Sequence, residues 1–353
     1  MDLRARIRDV TRAVTVAARD GQSETPAKLA SRLLDVTVEA LGVDGGALVL
    51  MDPETLLFTT GAVDRLPAAC CHPFFASELD ETRSRTFRRL ASHGASASAL
   101  SSREPGEDVF RRSVLQPFGF DSELRVVCRD AGVAWGGLSL WRRTGAPPFS
   151  RDDEQVLEAV APLLGFALRD AVLRSFLDAG GAPGVQGVLV LEGRHVVEAS
   201  PEARALLKEI DQPAAIDYRP LDHLLAIAQR DPRFSTVVGA NDGRWITAHG
   251  TALNANRTAV VLTSAGPADL FGALVVGAGL TTREVEVTRL LCRGLTDAEI
   301  ARELTISNHT AHDHVRSIRR KLGVRNRAEV AAKIFAGHYL DRFLANAAIS
   351  HAS

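Results

Sequence analysis

LTTREVEVTRLLCRGLTDAEIARELTISNHTAHDHVRSIRRKLGVRNRAEVAAKIF, residues 280–335, decides how this chain is read. Three helix starts are legible in it. Thr281 is followed three residues on by Glu284, and Thr296 by Glu299. In each pair a hydroxyl and a carboxylate can satisfy two backbone N–H groups that a helix start leaves without partners. Ser307 fits the N-cap of a third helix, with Thr310 at its third position. Gly294 ends the first helix and Gly323 the third. Apolar residues fall on one face of each: Val287, Leu290 and Leu291; Ile300, Ala301 and Leu304; Val315, Ile318 and Leu322. Two short helices joined by the tight segment LTISN predict the tri-helical core of a helix-turn-helix.

The chemistry that such a core supports is recognition of double-stranded DNA. The second helix would lie across the backbone and turn its N-terminal amides toward phosphate, while the third enters the major groove, where base edges are distinguishable. The exposed face of the third helix is expected to carry Asn308, His309, His312, Asp313, Arg316, Arg319 and Arg320. With Thr296, Ser307, Thr310 and Lys321 these are the candidate DNA-binding residues, the later basic ones suited to flanking phosphates. The charge is distributed accordingly. The chain as a whole has a net charge of −1, whereas residues 280–335 hold eleven Lys and Arg against seven Asp and Glu. Residues 306–335 alone hold seven Lys and Arg against two Asp and Glu, the footprint of a local phosphate-binding face. The plainer reading of the Arg cluster is a solvated basic face on a helical bundle. Taken alone, that reading prevails; the two capping boxes, together with the family resemblance carried by the same stretch, tip the balance toward DNA.

LTTRE, GLTDAEIARELTIS and KLGVRNRAE together resemble the LuxR-type C-terminal domain over residues 280–335. The resemblance implies an all-α, tetra-helical DNA-binding domain whose last helix, about 327–337, pairs in a dimer. One departure concerns base reading. The family pattern has Thr-Val-Lys before the histidine of the recognition helix; here the run is Thr310-Ala311-His312, with Asp313 before His314.

Upstream, 353 residues are too many for one ordinary core and suit two or three domains. Leu3, Ile7, Val10, Val14 and Ala17 place an amphipathic lead-in helix at 3–19, and a second helix is expected over 26–41. Strands are expected at 46–52, 56–62, 122–130 and 133–143, with a Ser/Ala/Gly-rich flexible loop at 92–108. Ser150, with Asp153 at the third position, opens a long helix over 151–178. The stretch GGLSLWRRTGAPPFSRDDEQVLEAVAPLLGFAL, 136–168, resembles the end of a GAF domain. GVLVLEGRHVVEASPEARALL, 187–207, with further strands at 244–254 and 258–266, resembles a PAS domain. The expected organisation is a lead-in helix at 1–20, an α+β GAF-like sensor domain at 21–178 and an α+β PAS-like domain at 185–266. A linker at 267–278, the helix-turn-helix domain at 279–340 and a tail at 341–353 follow. The apolar faces of helix 3–19 and of the long helix (Val156, Val160, Leu163, Leu164, Leu168, Val172, Phe176) look wider than one small domain needs and are expected to help form a parallel dimer.

Other chemistry finds little support. Cys70, Cys71, Cys128 and Cys292 show no CxxC or metal-ligand spacing and are expected to be reduced, mostly buried thiols. Cys71-His72 resembles the dipeptide of bilin-binding relatives without the surrounding motif; a thiol beside a surface histidine is preferred. His195 and His223 could be imagined as haem ligands, but lone histidines are ordinarily satisfied core or surface groups. No GxGxxG, P-loop, GxSxG or HExxH spacing occurs, so neither an enzyme nor a cofactor or metal is expected. MDLRARIRDV has no apolar segment of a secretory signal, and a cytoplasmic protein without membrane contact is expected. The expected partners are double-stranded DNA, a second copy of the chain, a small molecule in the GAF-like or PAS-like domain, and RNA polymerase. The competing reading is that the sensor-like domains bind no ligand and serve only as a dimerisation and protein-contact scaffold.

Overall fold

The computed structural model describes residues 2–93, 97–99, 109–178, 185–210, 219–240, 242–265, 269 and 278–331. The chain divides into two compact units, 1–175 with 185–263 and 176–184 with 264–353. It is a multidomain protein with two α+β regions N-terminal to an α-helical region.

In the first α+β region, α1 (Leu3–Asp20) packs on α2 (Pro26–Leu41), which Thr25 caps and Gly42 ends in the left-handed conformation. Strands β1 (Gly45–Met51), β2 (Phe58–Asp64), β3 (Ala97–Ala99), β4 (Phe120–Asp130) and β5 (Val133–Arg143) form a sheet in the order β2-β1-β5-β4-β3. Ala131 and Gly132 both take positive φ, 49° and 83°. That is the two-residue hairpin turn whose twist matches the strands it joins. Expected strand 56–62 begins at Phe58 instead. Asp52 accepts from the Glu54 N–H and the Thr55 hydroxyl, and this side-chain turn holds the chain out of the sheet as far as Leu57. Ala97–Ala99, expected within a flexible loop, pairs with Leu124–Val126 at the edge of β4. Small side chains left it without a strand signal, but β4's open edge supplies the partners. Residues 94–96 and 100–108 of that loop lie outside the described residues.

Helices α3 (Cys71–Glu78) and α4 (Phe87–His93) cover one face of the sheet around a core of Phe58, Phe74, Phe75, Phe87, Phe110 and Trp141. The long helix α5 (Arg151–Asp178) opens as expected. The Ser150 hydroxyl accepts from the Asp153 N–H while Asp153 accepts from the Ser150 N–H. Its apolar face is not spare: Val156, Val160, Leu164, Leu168, Val172 and Phe176 are all buried within the chain and Leu163 half-buried. Glycines make this close packing feasible. A Cβ at Gly165 would sit 2.3 Å from the Arg129 carbonyl oxygen, and one at Gly136 2.6 Å from Leu168.

The second region contains β6 (Gln186–Glu192), β7 (His195–Ala199), α6 (Pro201–Ile210), α7 (Pro220–Arg230), β8 (Ser235–Gly239), β9 (Trp245–Ala252) and β10 (Arg257–Ser264). The sheet order is β7-β6-β10-β9-β8. The sequence reading leaves α7 and β8 unassigned. Helix α7 packs against α3, and its Ala226 enters the aromatic core of the first region. His72, expected at the surface, is buried on α3, and burial, with Arg194 as a second cause, holds its imidazole below the ordinary range. Among the described residues no helix is long and apolar enough to cross a membrane.

His223 on α7 is 2% exposed, its ring centroid 5.3 Å from those of both Phe58 and Phe75. Burial pushes its imidazole down to about 3, against a smaller opposing effect of a hydrogen bond with the Phe58 backbone. The unfolded chain takes up this proton near pH 6.5 and the folded chain only near 3. The resulting stability is full above about pH 6.5 and is lost as pH falls toward 3, by a few kcal/mol at most. All three tryptophans, at 135, 141 and 245, lie in this unit, so their fluorescence reports its unfolding. The urea midpoint is expected to drop between pH 7 and pH 4.5, and His223→Phe to show a visibly shallower drop over the same window.

Candidate nucleic-acid interface

The C-terminal unit builds its site from α8 (Thr282–Cys292), α9 (Asp297–Glu303) and α10 (Asn308–Leu322). Both capping boxes are formed. Thr281 accepts from the Glu284 N–H while Glu284 accepts from the Thr281 N–H, and Thr296 and Glu299 repeat the exchange. Ser307 accepts from the Thr310 N–H at 3.0 Å, and α10 ends at Gly323, φ 64°. Val287, Ile300, Ala301, Ala311, Val315, Ile318 and Leu322 meet in one core. The turn between α9 and α10 puts Thr305 at φ 54°, and Arg283 from α8 donates to the Leu304 carbonyl at 2.5 Å beside it. A fourth cap follows α10: Asn326 accepts from the Glu329 N–H, and residues 327–331 are helical. The remainder of the expected helix to Gly337 and the tail lie outside the described residues.

The geometry brings together most of the candidate residues. Thr296, Ser307, Asn308, His309, Thr310, His312, Arg316 and Arg320 are exposed, and Asp313, Arg319 and Lys321 half-buried. The three half-buried ones all have partners. Lys321 Nζ lies 2.6 Å from Glu284 Oε2 and 2.9 Å from the Gly279 carbonyl. Arg319 donates to the Arg325 carbonyl. Asp313 sits between His309 at 3.4 Å and Arg316 at 3.8 Å along the same helix. Sequence reasoning missed Asp297 and Arg327: Asp297 accepts from Arg327 at 2.5 Å and lies 3.0 Å from His312 Nδ1. No local spacing signals these contacts, which span 30 and 15 residues.

Residues 278–334 match the family described as bacterial regulatory proteins, luxR family. Spore germination protein GerE of Bacillus subtilis (strain 168) is 42% identical over 55 residues, which are 16% of this chain and 74% of that protein. The chain belongs to the luxR family of bacterial regulatory proteins. Proteins of this family are non-catalytic DNA-binding regulators, in keeping with the expectation of no enzyme. The transcriptional regulatory protein UhpA of Escherichia coli (strain K12) is 43% identical over 58 residues. That match spans 16% of this chain and only 30% of UhpA. A crystal structure of Escherichia coli SdiA covers 90% of this luxR-family chain at 14% identity and a TM-score of 0.31, an overlap too poor to bear on the N-terminal regions.

Burial raises the Glu284 carboxyl, but Lys321, Ser317 and Thr281 outweigh it and hold the group at about 2. Its contribution to stability is therefore full above about pH 4.5 and is lost as pH falls toward 2. Lys321→Ala removes a tie between a buried carboxylate and a lysine about a quarter exposed. It is expected to lower protection across α8 and α10 by about 1–2 kcal/mol at pH 7, read by hydrogen exchange on the full chain.

Proposed function

We propose that the chain is a DNA-binding transcription regulator in which α10 is the recognition helix of a dimer. The observation that carries this reading is the helix-turn-helix itself. Three capped helices around one apolar core leave Asn308, His309, Thr310, His312, Arg316 and Arg320 exposed on α10. Phosphates would take Arg316 and Arg320, and the α9 amides behind Thr296 would face the backbone. Half-sites about one helical turn apart would match the two recognition helices.

The two N-terminal regions, GAF-like at 21–178 and PAS-like at 185–266, are proposed as sensors. A linker at 267–278 and a helix-turn-helix domain at 279–340 belong to the same proposal. A cleft of about 560 Å³ in the second region, lined by His195, Gln229, Asn254 and Asn256, is of the size a small molecule needs. The scaffold reading is favoured by a different observation. The described core of the first region is filled by the chain's own side chains, with Arg83 stacked 3.7 Å over Phe110 and Arg125 4.8 Å over Phe87. Native mass spectrometry of the purified chain separates the two, since a retained small molecule supports the sensor. A second copy of the chain, RNA polymerase and a cytoplasmic location complete the proposal.

Selection of operators from randomised duplexes, followed by salt titration, tests DNA binding. The full chain is expected to enrich one motif. Arg320→Ala is expected to weaken binding to all sequences alike and to reduce the salt slope by about one. Lys321→Ala, whose ammonium is held by Glu284, is expected to leave the slope unchanged. Asp313→Ala is expected to raise non-specific affinity, because a carboxylate near phosphates is removed. A changed motif would make Asp313 a base reader, and an unchanged one a local partner of His309 and Arg316.

A further inference from the structure

His312 is an exposed side chain on the proposed recognition helix, yet its ring is held. Nδ1 lies 3.0 Å from Asp297 Oδ2. Asp297 is itself fixed, because it is the first residue of α9 and its other oxygen accepts from Arg327 at 2.5 Å. Three elements therefore converge on one imidazole: α10 carries it, the start of α9 orients it, and Arg327 anchors the carboxylate. On its own helix the nearby charged groups are engaged with one another, Asp313 lying between His309 and Arg316.

The chemistry of that contact has a consequence for the other nitrogen. A carboxylate can only accept, so the shared proton must sit on Nδ1. In a neutral imidazole the second nitrogen is then a bare lone pair, its role set by the bond the first one makes. We infer that Asp297 is a positioning residue that locks His312 with Nε2 outward as a hydrogen-bond acceptor for an exocyclic amino group in the major groove. The bases that present such a donor there are adenine through N6 and cytosine through N4. Guanine, which offers only acceptors on that edge, is disfavoured at the same position. The tether also removes the rotamer freedom that an exposed histidine would otherwise lose on binding, so the contact comes preorganised. This inference rests on α10 being the recognition helix, and the test keeps the two apart.

Operator selections with the full chain at pH 8 supply the readout. The wild-type chain is expected to enrich an adenine or cytosine at one position of each half-site. His312→Ala and Asp297→Ala are each expected to lose that preference by about fivefold or more, with all other positions unchanged. The double variant is expected to lose no more than either single one, as two residues acting through one contact must. Asp297→Ser, compatible with a helix start but too short to reach Nδ1, takes the place of Asp297→Ala if the alanine variant loses its exchange protection. A merely structural Asp297 would weaken binding to every sequence and leave the preference standing, which overturns the inference. Enrichment of guanine at the position that His312→Ala abolishes also overturns it, because His312 would then be donating. A wild-type chain that enriches no motif at all overturns the DNA-binding reading, and this inference with it.

Discussion

Glu284 accepts from the Thr281 backbone N–H at 2.7 Å and from Lys321 at 2.6 Å, tying the N-terminus of α8 to the last turn of α10. The apolar core of the C-terminal unit supplies the bulk of the driving force, but hydrophobic contact is non-directional and tolerates small rotations of one helix over another. The polar ties at its rim are directional. Lys321 fixes the end of α10, Arg283 satisfies the carbonyl of Leu304 just after α9, and Asp297 joins the start of α9 to Arg327. These three contacts tie α8, α9 and α10 to one another at defined points. The bent connection through Thr305 is tolerated because they hold both of the helices it joins.

The first α+β region uses charge differently. Arg125 donates to Glu78 at 2.5 Å and lies 2.9 Å from Glu123, while Arg83 lies 3.1 Å from Glu78, and all four side chains are at most 5% exposed. Burial would raise the Glu123 carboxyl, but Arg125 and Arg83 outweigh it and hold the group below the ordinary range. Two cations face two anions, so the cluster is formally neutral. Buried pairs of this kind add little net stability over apolar residues of the same volume, because desolvation offsets attraction. Removing one partner is another matter, since it strands a charge among Phe74, Phe87 and Phe110.

Legibility in the sequence followed contact range. The capping boxes at Thr281 and Thr296, the cap at Ser307 and the stop at Gly323 are fixed by residues within four positions, and all four are where the sequence places them. The ties through Glu284 and Lys321, and through Asp297 and His312, span 37 and 15 residues and leave no periodic trace. Helix α7 was missed for another reason. Pro220 at its start and Leu224, Leu225, Ile227 and Ala228 are ordinary helix signals, but they follow a stretch with no regular pattern and carry no resemblance. The face of α5 was misjudged because a one-dimensional pattern shows how wide an apolar stripe is, not what covers it. Gly136 and Gly165 let the sheet approach closely enough to cover that stripe.

The electrostatic reach of α10 is smaller than its composition suggests. Its last two turns carry four cations, Arg316, Arg319, Arg320 and Lys321, which complement the negative pole of the helix. Lys321 is drawn inward to Glu284 and Arg319 to the Arg325 carbonyl, so both are spent on holding the end of the helix. Arg316 and Arg320 remain exposed, and Arg316 shares Asp313 at 3.8 Å. At the opposite end Ser307, Asn308 and Thr310 are exposed and uncharged, next to the positive pole. A helix so built has few charges with which to bind any duplex indiscriminately. On the proposed reading, discrimination would fall to the polar groups of its first two turns, where the His312 ring is held by Asp297 at the start of α9.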